Sequence, residues 1–530
     1  MPIRTEKGST VSVVSLVALA ATFVLVPLDD RPVTLQLPKM VGAIAGVRVD
    51  VPPRALLGHY LTAGDPQAIA RWLRDESPRD ASAYIVSTDM IDFGGLIASR
   101  APGAPAYVAQ TRLRDLAAFR AQRAQASFTL FGTVMRLAPT GVPALGDAAG
   151  FFAAGAPVDW LTDYARLPDP PQSADDKATA ARLADQLGPM LGAYLATRSR
   201  DRDVDLYALQ LTAEGAFDRI VIGQDDAWKT GLHLRDLAAM RAFAGRWLPP
   251  ERASIESGAD ELGMILTGAA LARQAHIVPR IRVRYSRPGA TTESDPLEPN
   301  PIDVTIGDVI RAAGAVRAPD GDAHADIDLF VRLKDTNPAG EAAFLDAIAA
   351  ATAAGTTLPR AAVADLSFLA SDDLDQQRVL VESMIARGIA GKIDAFASWN
   401  TTANTIGTAV PAAIAALAGR TMHAFDPVRH AQFMLDRYAD DYAFHDFVRG
   451  EVNAALSRHG IDDHSYLLPA AASYAGSQNR AALWPRALQL LATIYPLYRD
   501  MGLTITLPWD RTFETELDVR LTQLDQHAAR

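Results

Sequence analysis

Short apolar runs, separated by polar motifs and helical stretches, recur along the chain. The runs are FVLVPL (23–28), VRVDV (47–51), AYIVST (83–88), SFTLFG (127–132), FDRIVIG (217–223), ASIES (253–257), IRVRY (281–285), IDLFVRL (327–333), AAVADLS (361–367) and DAFASW (394–399). They are mostly continuous and rich in β-branched or aromatic residues, which predicts strands of a parallel sheet covered on both faces. The spacers have helical period: in DPQAIARWLRDE (65–76), Ile69, Trp72 and Leu73 fall on one stripe. Alternation of such strands and helices predicts an α/β fold. Ten runs exceed the eight strands of one barrel. Either six of them form most of a TIM-barrel-like first body, or all ten divide between two doubly wound sheets. In both architectures ligands sit at the carboxyl ends of the strands.

The punctuation between runs predicts the domains. Residues 1–21 read as a signal peptide or N-terminal anchor: Arg4 and Lys7 precede the apolar VSVVSLVALAA (11–21), with small residues at Ala18 and Ala20. That reading predicts export, to the periplasm, the exterior or a membrane anchorage. The competing reading is a buried helix–strand pair of a cytoplasmic protein. Residues 22–285 form the expected first α/β domain, with a Pro-rich excursion over 150–185. A smaller second α/β domain follows over 286–425, introduced by a stretch rich in Pro, Gly and Asp. Residues 426–530 are mainly helical and close on a strand-like TITLPWDRTFETEL, predicted to pack back on the core.

Composition narrows the function classes. The chain has 530 residues, 49% hydrophobic and 21% charged, which excludes a disordered polymer. Its formal net charge of −11 gives no electrostatic reason for nucleic-acid binding. With no cysteine, disulfides, thiolate metal sites and a thiol nucleophile are excluded. No G-x-S-x-G elbow, P-loop, post-strand G-x-G-x-x-G or H-E-x-x-H occurs, so no cofactor is expected. A Mg²⁺ or Ca²⁺ site built of carboxylates stays open.

The chemistry concentrates in the motifs that follow the strands. These are Asp29-Asp30-Arg31-Pro32, Asp89 with Asp92, Gly94-Gly95 and Arg100, Gln224-Asp225-Asp226-Ala227-Trp228-Lys229, Asp260-Glu261, Asp372-Asp373, and Trp399-Asn400 with Asn404. One strand-end Asp is ordinarily a helix cap, but repeated clusters on one sheet edge predict a shared acidic cleft. Paired carboxylates divide into an acid and a base or nucleophile when their surroundings separate their pKa values. Trp, Asn, Asp and Arg around such a pair suit the hydroxyls of a sugar. The candidate catalytic groups are therefore Asp225 or Asp226 with Asp260 or Glu261. The candidate substrate contacts are Asp29, Asp30, Arg31, Asp89, Arg100, Trp228, Lys229, Trp399, Asn400 and Asn404.

Six ordered segments resemble one bacterial family, domain of unknown function 4127. They are PLDDRPV (27–33), TDMIDFGGLIASR (88–100), QDDAWKTG (224–231), GADELGM (258–264), DLSF (365–368) and SWNTTANTIGTA (398–409). The resemblance runs from about residue 23 to PWDRTFE (508–514). It implies a single bacterial unit of this length, many of whose relatives look exported, and it carries no assigned reaction. The family pattern has Pro-Tyr-Gly after the acidic pair. Here Ala227-Trp228-Lys229-Thr230-Gly231 stands instead, which implies a different substrate preference if that loop shapes the pocket.

The residues thus lead to an exported, glycosidase-like hydrolase acting on a small-molecule or glycan substrate. The alternatives are a non-catalytic sugar- or solute-binding protein and a carboxylate–metal-dependent hydrolase. No nucleic-acid partner is expected, and no integral membrane domain beyond the N-terminal signal or anchor.

Overall fold

The computed structural model describes residues 21–140, 156–353, 355, 358–368 and 375–524. The leader-like residues 1–20 and the pair Asp372-Asp373 lie outside them. All ten apolar runs form strands. The first sheet holds β1 (Thr22–Val26), β2 (Arg48–Asp50), β3 (Ala83–Ser87), β4 (Ser127–Val134), β5 (Arg219–Gln224) and β6 (Ala253–Ser257), all parallel, in the order 2-1-3-4-5-6. The second holds β7 (Arg280–Tyr285), β8 (Val316–Ala318), β9 (Ile327–Leu333), β10 (Arg360–Leu366) and β11 (Ala395–Ala397), also parallel, in the order 8-7-9-10-11. Both sheets are open and doubly wound; neither closes into a barrel. Each reverses its winding beside its own first strand, where such folds open a crevice.

One boundary differs from the expected one. Strand β7 hydrogen-bonds to β8 and β9, so the second body begins before Arg280 rather than after residue 285. Periodicity places a strand but not the sheet it joins. The two bodies also share one hydrophobic core. Phe23, Leu25, Ile85 and Val221 of the first sheet belong to the same buried cluster as Leu329, Val363 and Phe396 of the second. Two helices fill the space between them, Leu262–Gln274 and Thr402–Thr421. They touch where Gly268 meets Pro411: a Cβ on Gly268 would lie 2.8 Å from the proline Cβ. Helix Thr402–Thr421 has the length and apolarity to cross a membrane, yet 94% of its apolar window is buried, so here it is the core helix between the sheets.

Local signals act as expected. Helix Pro66–Asp75 starts where Asp65 accepts from the Gln67 and Ala68 amides at 3.0 and 2.9 Å, and it buries Ile69, Trp72 and Leu73. Gly94 and Gly95 take φ of +93° and +121° and let that turn press against the Leu28 carbonyl and the Gly58–Gly64 loop. The Gly pair therefore serves packing rather than ligand approach. Within the 150–185 excursion the described residues, from 156 on, contribute to a small satellite core with helix Pro189–Ala213, containing Leu161, Leu183 and Tyr194. The C-terminal part is helical and ends in an antiparallel hairpin, β12 (Tyr498–Thr506) and β13 (Glu516–Gln523). Its connecting loop, 507–515, reaches back to the carboxyl edge of the first sheet.

Candidate functional site

A polar concavity lies at that edge, a cavity of about 340 Å³, within the size range of small-molecule sites. Segments far apart in sequence wall it. Arg31 follows β1, Arg136 follows β4, Asp225 and Asp226 follow β5, and Asp260 follows β6. From the second body come Glu298, Asn400, Thr401 and Asn404 at the start of the core helix. The hairpin loop adds Trp509, Arg511 and Phe513.

Arg31 organises one wall. Its Nε and Nη2 donate to Asp29 at 2.9 and 2.6 Å, while Nη1 and Nη2 donate to Asp260 at 2.9 and 2.7 Å. Asp29 also accepts from the Thr34 hydroxyl at 2.8 Å, so it is a buried anchor for Arg31 and not a ligand contact. Asp30 points the other way. It accepts from the Trp509 indole N–H at 2.7 Å and from His59 Nδ1 at 2.9 Å, and so fixes the indole. Tyr60 stacks on Trp509 with ring centroids 4.9 Å apart, and the guanidiniums of Arg31 and Arg511 lie 4.8 and 4.6 Å from its ring centre.

The acidic pair after β5 splits. Asp225 is buried, accepts from the Asp226 amide at 2.8 Å and pairs with Arg100. Asp226 stands in the cavity with a side chain 40% exposed, and among the described residues its one ion pair is with Arg136 at 3.5 Å. Crowding by protein and then the Asp225 charge push its carboxyl up to about 6. Asp260 moves the opposite way: burial alone raises it, but the charge and hydrogen bonds of Arg31, with Arg100 and Arg511 behind, hold it below its ordinary value. The edge is thus not uniformly acidic. Each cavity carboxylate from the first sheet faces a guanidinium.

Glu261 does not line the cavity. It is fully buried, pushed well above its ordinary pKa by that burial, and accepts from Asn404 Nδ2 at 2.6 Å. Asn404 Oδ1 in turn accepts from Asn400 Nδ2 at 2.6 Å, so Glu261 sets the two amides that do line it. Trp399 is also behind the wall, its indole N–H donating to Thr408 at 3.1 Å. Trp228 lies outside under Arg166, 4.5 Å from ring centre to guanidinium, and Lys229 is exposed beside it. The Ala227–Gly231 segment therefore contributes nothing to the cavity, and the family departure there does not reshape it. These positions stood out in sequence because they adjoin acidic motifs, but the chain turns outward after Asp226.

Asp89 lies beneath the site. It accepts from the Thr133 hydroxyl at 3.0 Å, and burial pushes it up to about 6. Asp92, Asp201 and Asp205 surround it, all raised by burial, and neither oxygen of Asp92 has a hydrogen-bond partner. Among the described residues no three His, Cys, Asp or Glu side chains form a group able to hold a metal ion. A carboxyl raised on folding favours the native state below its unfolded pKa of about 3.9, and that contribution is lost as pH rises through the folded value. Asp92→Asn is therefore expected to raise Tm at pH 8 by about 2–4 °C, the shift for ~1 kcal/mol in domains of 150–250 residues. At pH 3.5 it should leave Tm unchanged. Thermal unfolding followed by circular dichroism at the two pH values checks both signs.

Sequence reasoning missed Arg136, Glu298, Tyr60, Trp509 and Arg511. For Trp509 and Arg511 a signal existed: PWDRTF places an aromatic, an acid and a base in one turn, as the strand-end motifs do. Arg136 had only its position, two residues beyond β4. The family described as "Protein of unknown function (DUF4127)" matches residues 23–518. No curated protein and no solved structure matches the chain.

Proposed function

The chain belongs to the DUF4127 family, and from the geometry of its site we propose a hydrolase of glycosidic bonds. One observation carries the proposal: Asp226 and Asp260 share a cavity with carboxyl pKa values displaced to opposite sides of normal. Asp226 is suited to hold a proton and Asp260 to remain charged, the division that acid–base cleavage of an acetal requires. Asp226 gives its proton to the leaving oxygen as the C–O bond breaks. Asp260, kept ionised by Arg31, stabilises the positive charge developing at the anomeric carbon, as nucleophile or as the base that activates water. Water supplies hydroxyl to the anomeric carbon, and its remaining proton restores the acid. Asn400 and Asn404 line the same cavity and offer amides to sugar hydroxyls, while Trp509, buried against Tyr60, Arg31 and Arg511, backs the wall.

The test is a panel of aryl glycosides. On 4-nitrophenyl substrates, Asp226→Asn is expected to lower kcat by about 10²–10⁴-fold, the usual weight of a general acid. On 2,4-dinitrophenyl substrates, whose leaving group needs little protonation, it should retain most activity, whereas Asp260→Asn should be inactive on both. The wild-type rate should fall above about pH 6 as Asp226 loses its proton. It should also fall below the ordinary Asp range as Asp260 gains one. In Asp226→Asn the alkaline fall should vanish. Folded variants with full activity on a hydrolysed glycoside would remove the assignment. Tight sugar binding without turnover would favour the solute-binding alternative.

A further inference from the structure

We propose that the ligand of this cavity carries an anionic group, a carboxylate or an ester sulfate or phosphate, seated on Arg100, Arg136 and Arg511. As a statement about substrate this rests on the hydrolase reading; as a statement about binding it stands on the wall itself.

Three guanidiniums from three separate segments face one small volume. Arg100 is 3% exposed and meets Asp225 through Nη2, while its Nε has no partner at all. That N–H is sealed inside the wall, so Arg100 acts on an anion in the cavity through the rest of its guanidinium and through its charge. Arg136 is weakly countered. Its Nε donates to the Ala138 carbonyl at 2.8 Å, its Nη2 to the Thr140 hydroxyl at 3.3 Å, and its one ionic contact is the 3.5 Å approach to Asp226. Burial, and then the like charge of Arg100, make its cationic form less favourable than usual, with Arg511 adding to the repulsion.

Arg511 is held rigid. Its Nε and Nη2 donate to Glu514 at 3.1 and 2.7 Å, and its plane packs on Trp509 and Tyr60 at 4.6 and 5.3 Å from the ring centres. That leaves Nη1 for a ligand. Planar guanidiniums match the paired oxygens of carboxylates, sulfates and phosphates, and excluded water strengthens each such bond. The catalytic cycle accentuates the bias. When Asp226 holds the proton it is to donate, Arg136 keeps only the charge of Asp225, which already pairs with Arg100. An anion on the ligand then takes the place of the Asp226 charge. A neutral sugar offers these cations nothing equivalent.

Binding and cleavage are tested separately on the full chain. Calorimetric titration with sodium glucuronate, sulfate, inorganic phosphate and glucose, at ionic strength fixed with chloride, reads the anion site. We expect at least one anion to bind and glucose to bind at least tenfold more weakly. The three anions distinguish a carboxylate from a sulfate or phosphate group. Arg136→Gln should weaken the anion at least tenfold, and Arg136→Lys should restore part of the loss. Equal binding of glucose and every anion, or equal anion binding by wild type and a folded Arg136→Gln, overturns the proposal.

The second arm compares 4-nitrophenyl uronides and hexoside 6-sulfates and 6-phosphates with neutral hexosides. Anionic glycosides should be preferred, and the Arg136→Gln defect should appear mainly in KM. If neutral hexosides alone are cleaved, the anion site fails and the hydrolase reading stands. If anions bind through Arg136 and no glycoside is cleaved, the anion site stands and the hydrolase reading fails.

Discussion

Arg31→Leu is expected to destabilise the protein by about 3–5 kcal/mol, measured by urea denaturation at pH 7, because it strands two carboxylates in the interior. The Arg31 side chain is 7% exposed, those of Asp29 and Asp260 are 3% and 14% exposed, and among the described residues no other cation forms an ion pair with either, Arg100 and Arg511 acting on Asp260 only from farther off. The bridge spans 229 residues of sequence and ties the end of β1 to the start of helix Leu262–Gln274. A mutational loss of this size has one further property that identifies its cause. In the wild type, Arg31 holds the Asp260 pKa down, so the pair stabilises above the unfolded value of about 3.9 and the effect is lost as pH falls through the lower folded value. Without Arg31 the burial of Asp260, which opposes its ionisation, loses its main counterweight. The deficit of Arg31→Leu should therefore be greatest at neutral pH and shrink below about pH 4. The triple variant Asp29→Asn, Arg31→Leu, Asp260→Asn should recover most of the stability, since removing a buried ionic group entirely costs far less than breaking it. On the proposed mechanism it should lack glycosidase activity, because Asp260 is gone. A single variant as stable as wild type at pH 7 would contradict the buried-pair account.

Gly258→Ala is the second large effect. Gly258 sits between β6 and Asp260 with φ of +93°, a conformation that costs an alanine about 1–2 kcal/mol. A Cβ there would lie 1.8 Å from Glu261 Oε1 and 2.6 Å from the Ala403 Cβ. Glu261 cannot simply swing away, because Asn404 holds its other oxygen at 2.6 Å, and Ala403 belongs to the first turn of the core helix. Overpacking adds about 1–3 kcal/mol. Together these predict a loss of about 2–5 kcal/mol and a shift of Asn404 and Asn400 away from the first sheet. Thermal unfolding should show the loss. Ligand binding by the fraction that remains folded should weaken as well, which a purely local strain would not produce. Gly188→Ala is the control: its φ is +52° but nothing lies within 4 Å of the added carbon, so only the conformational cost should appear.

The strands, their parallel arrangement and the edge that carries the site were legible because each is a local property. A continuous apolar run such as AYIVST predicts a strand buried on both faces, and Tyr84, Ile85 and Val86 are all inaccessible. The division of labour inside each acidic pair was not legible. Asp29 and Asp30 are adjacent, yet one clamps Arg31 and the other clamps Trp509, 479 residues away. Asp260 and Glu261 are adjacent too, and one reaches a cation while the other is sealed under an amide. Neighbouring side chains diverge in direction, and their roles depend on partners that sequence distance conceals.

By itself, then, the sequence determined ten of the eleven strands of the two parallel sheets, missing the short β8, and that polar motifs gather at their carboxyl ends. Those follow from periodicity and chain direction alone. Only the tertiary structure decided that the two sheets fuse around helices Leu262–Gln274 and Thr402–Thr421, that the hairpin loop closes the site, and that guanidiniums accompany the carboxylates there. Charge pairing and burial are properties of groups brought together across hundreds of residues. They separate the pKa values of Asp226 and Asp260, and no local pattern records them.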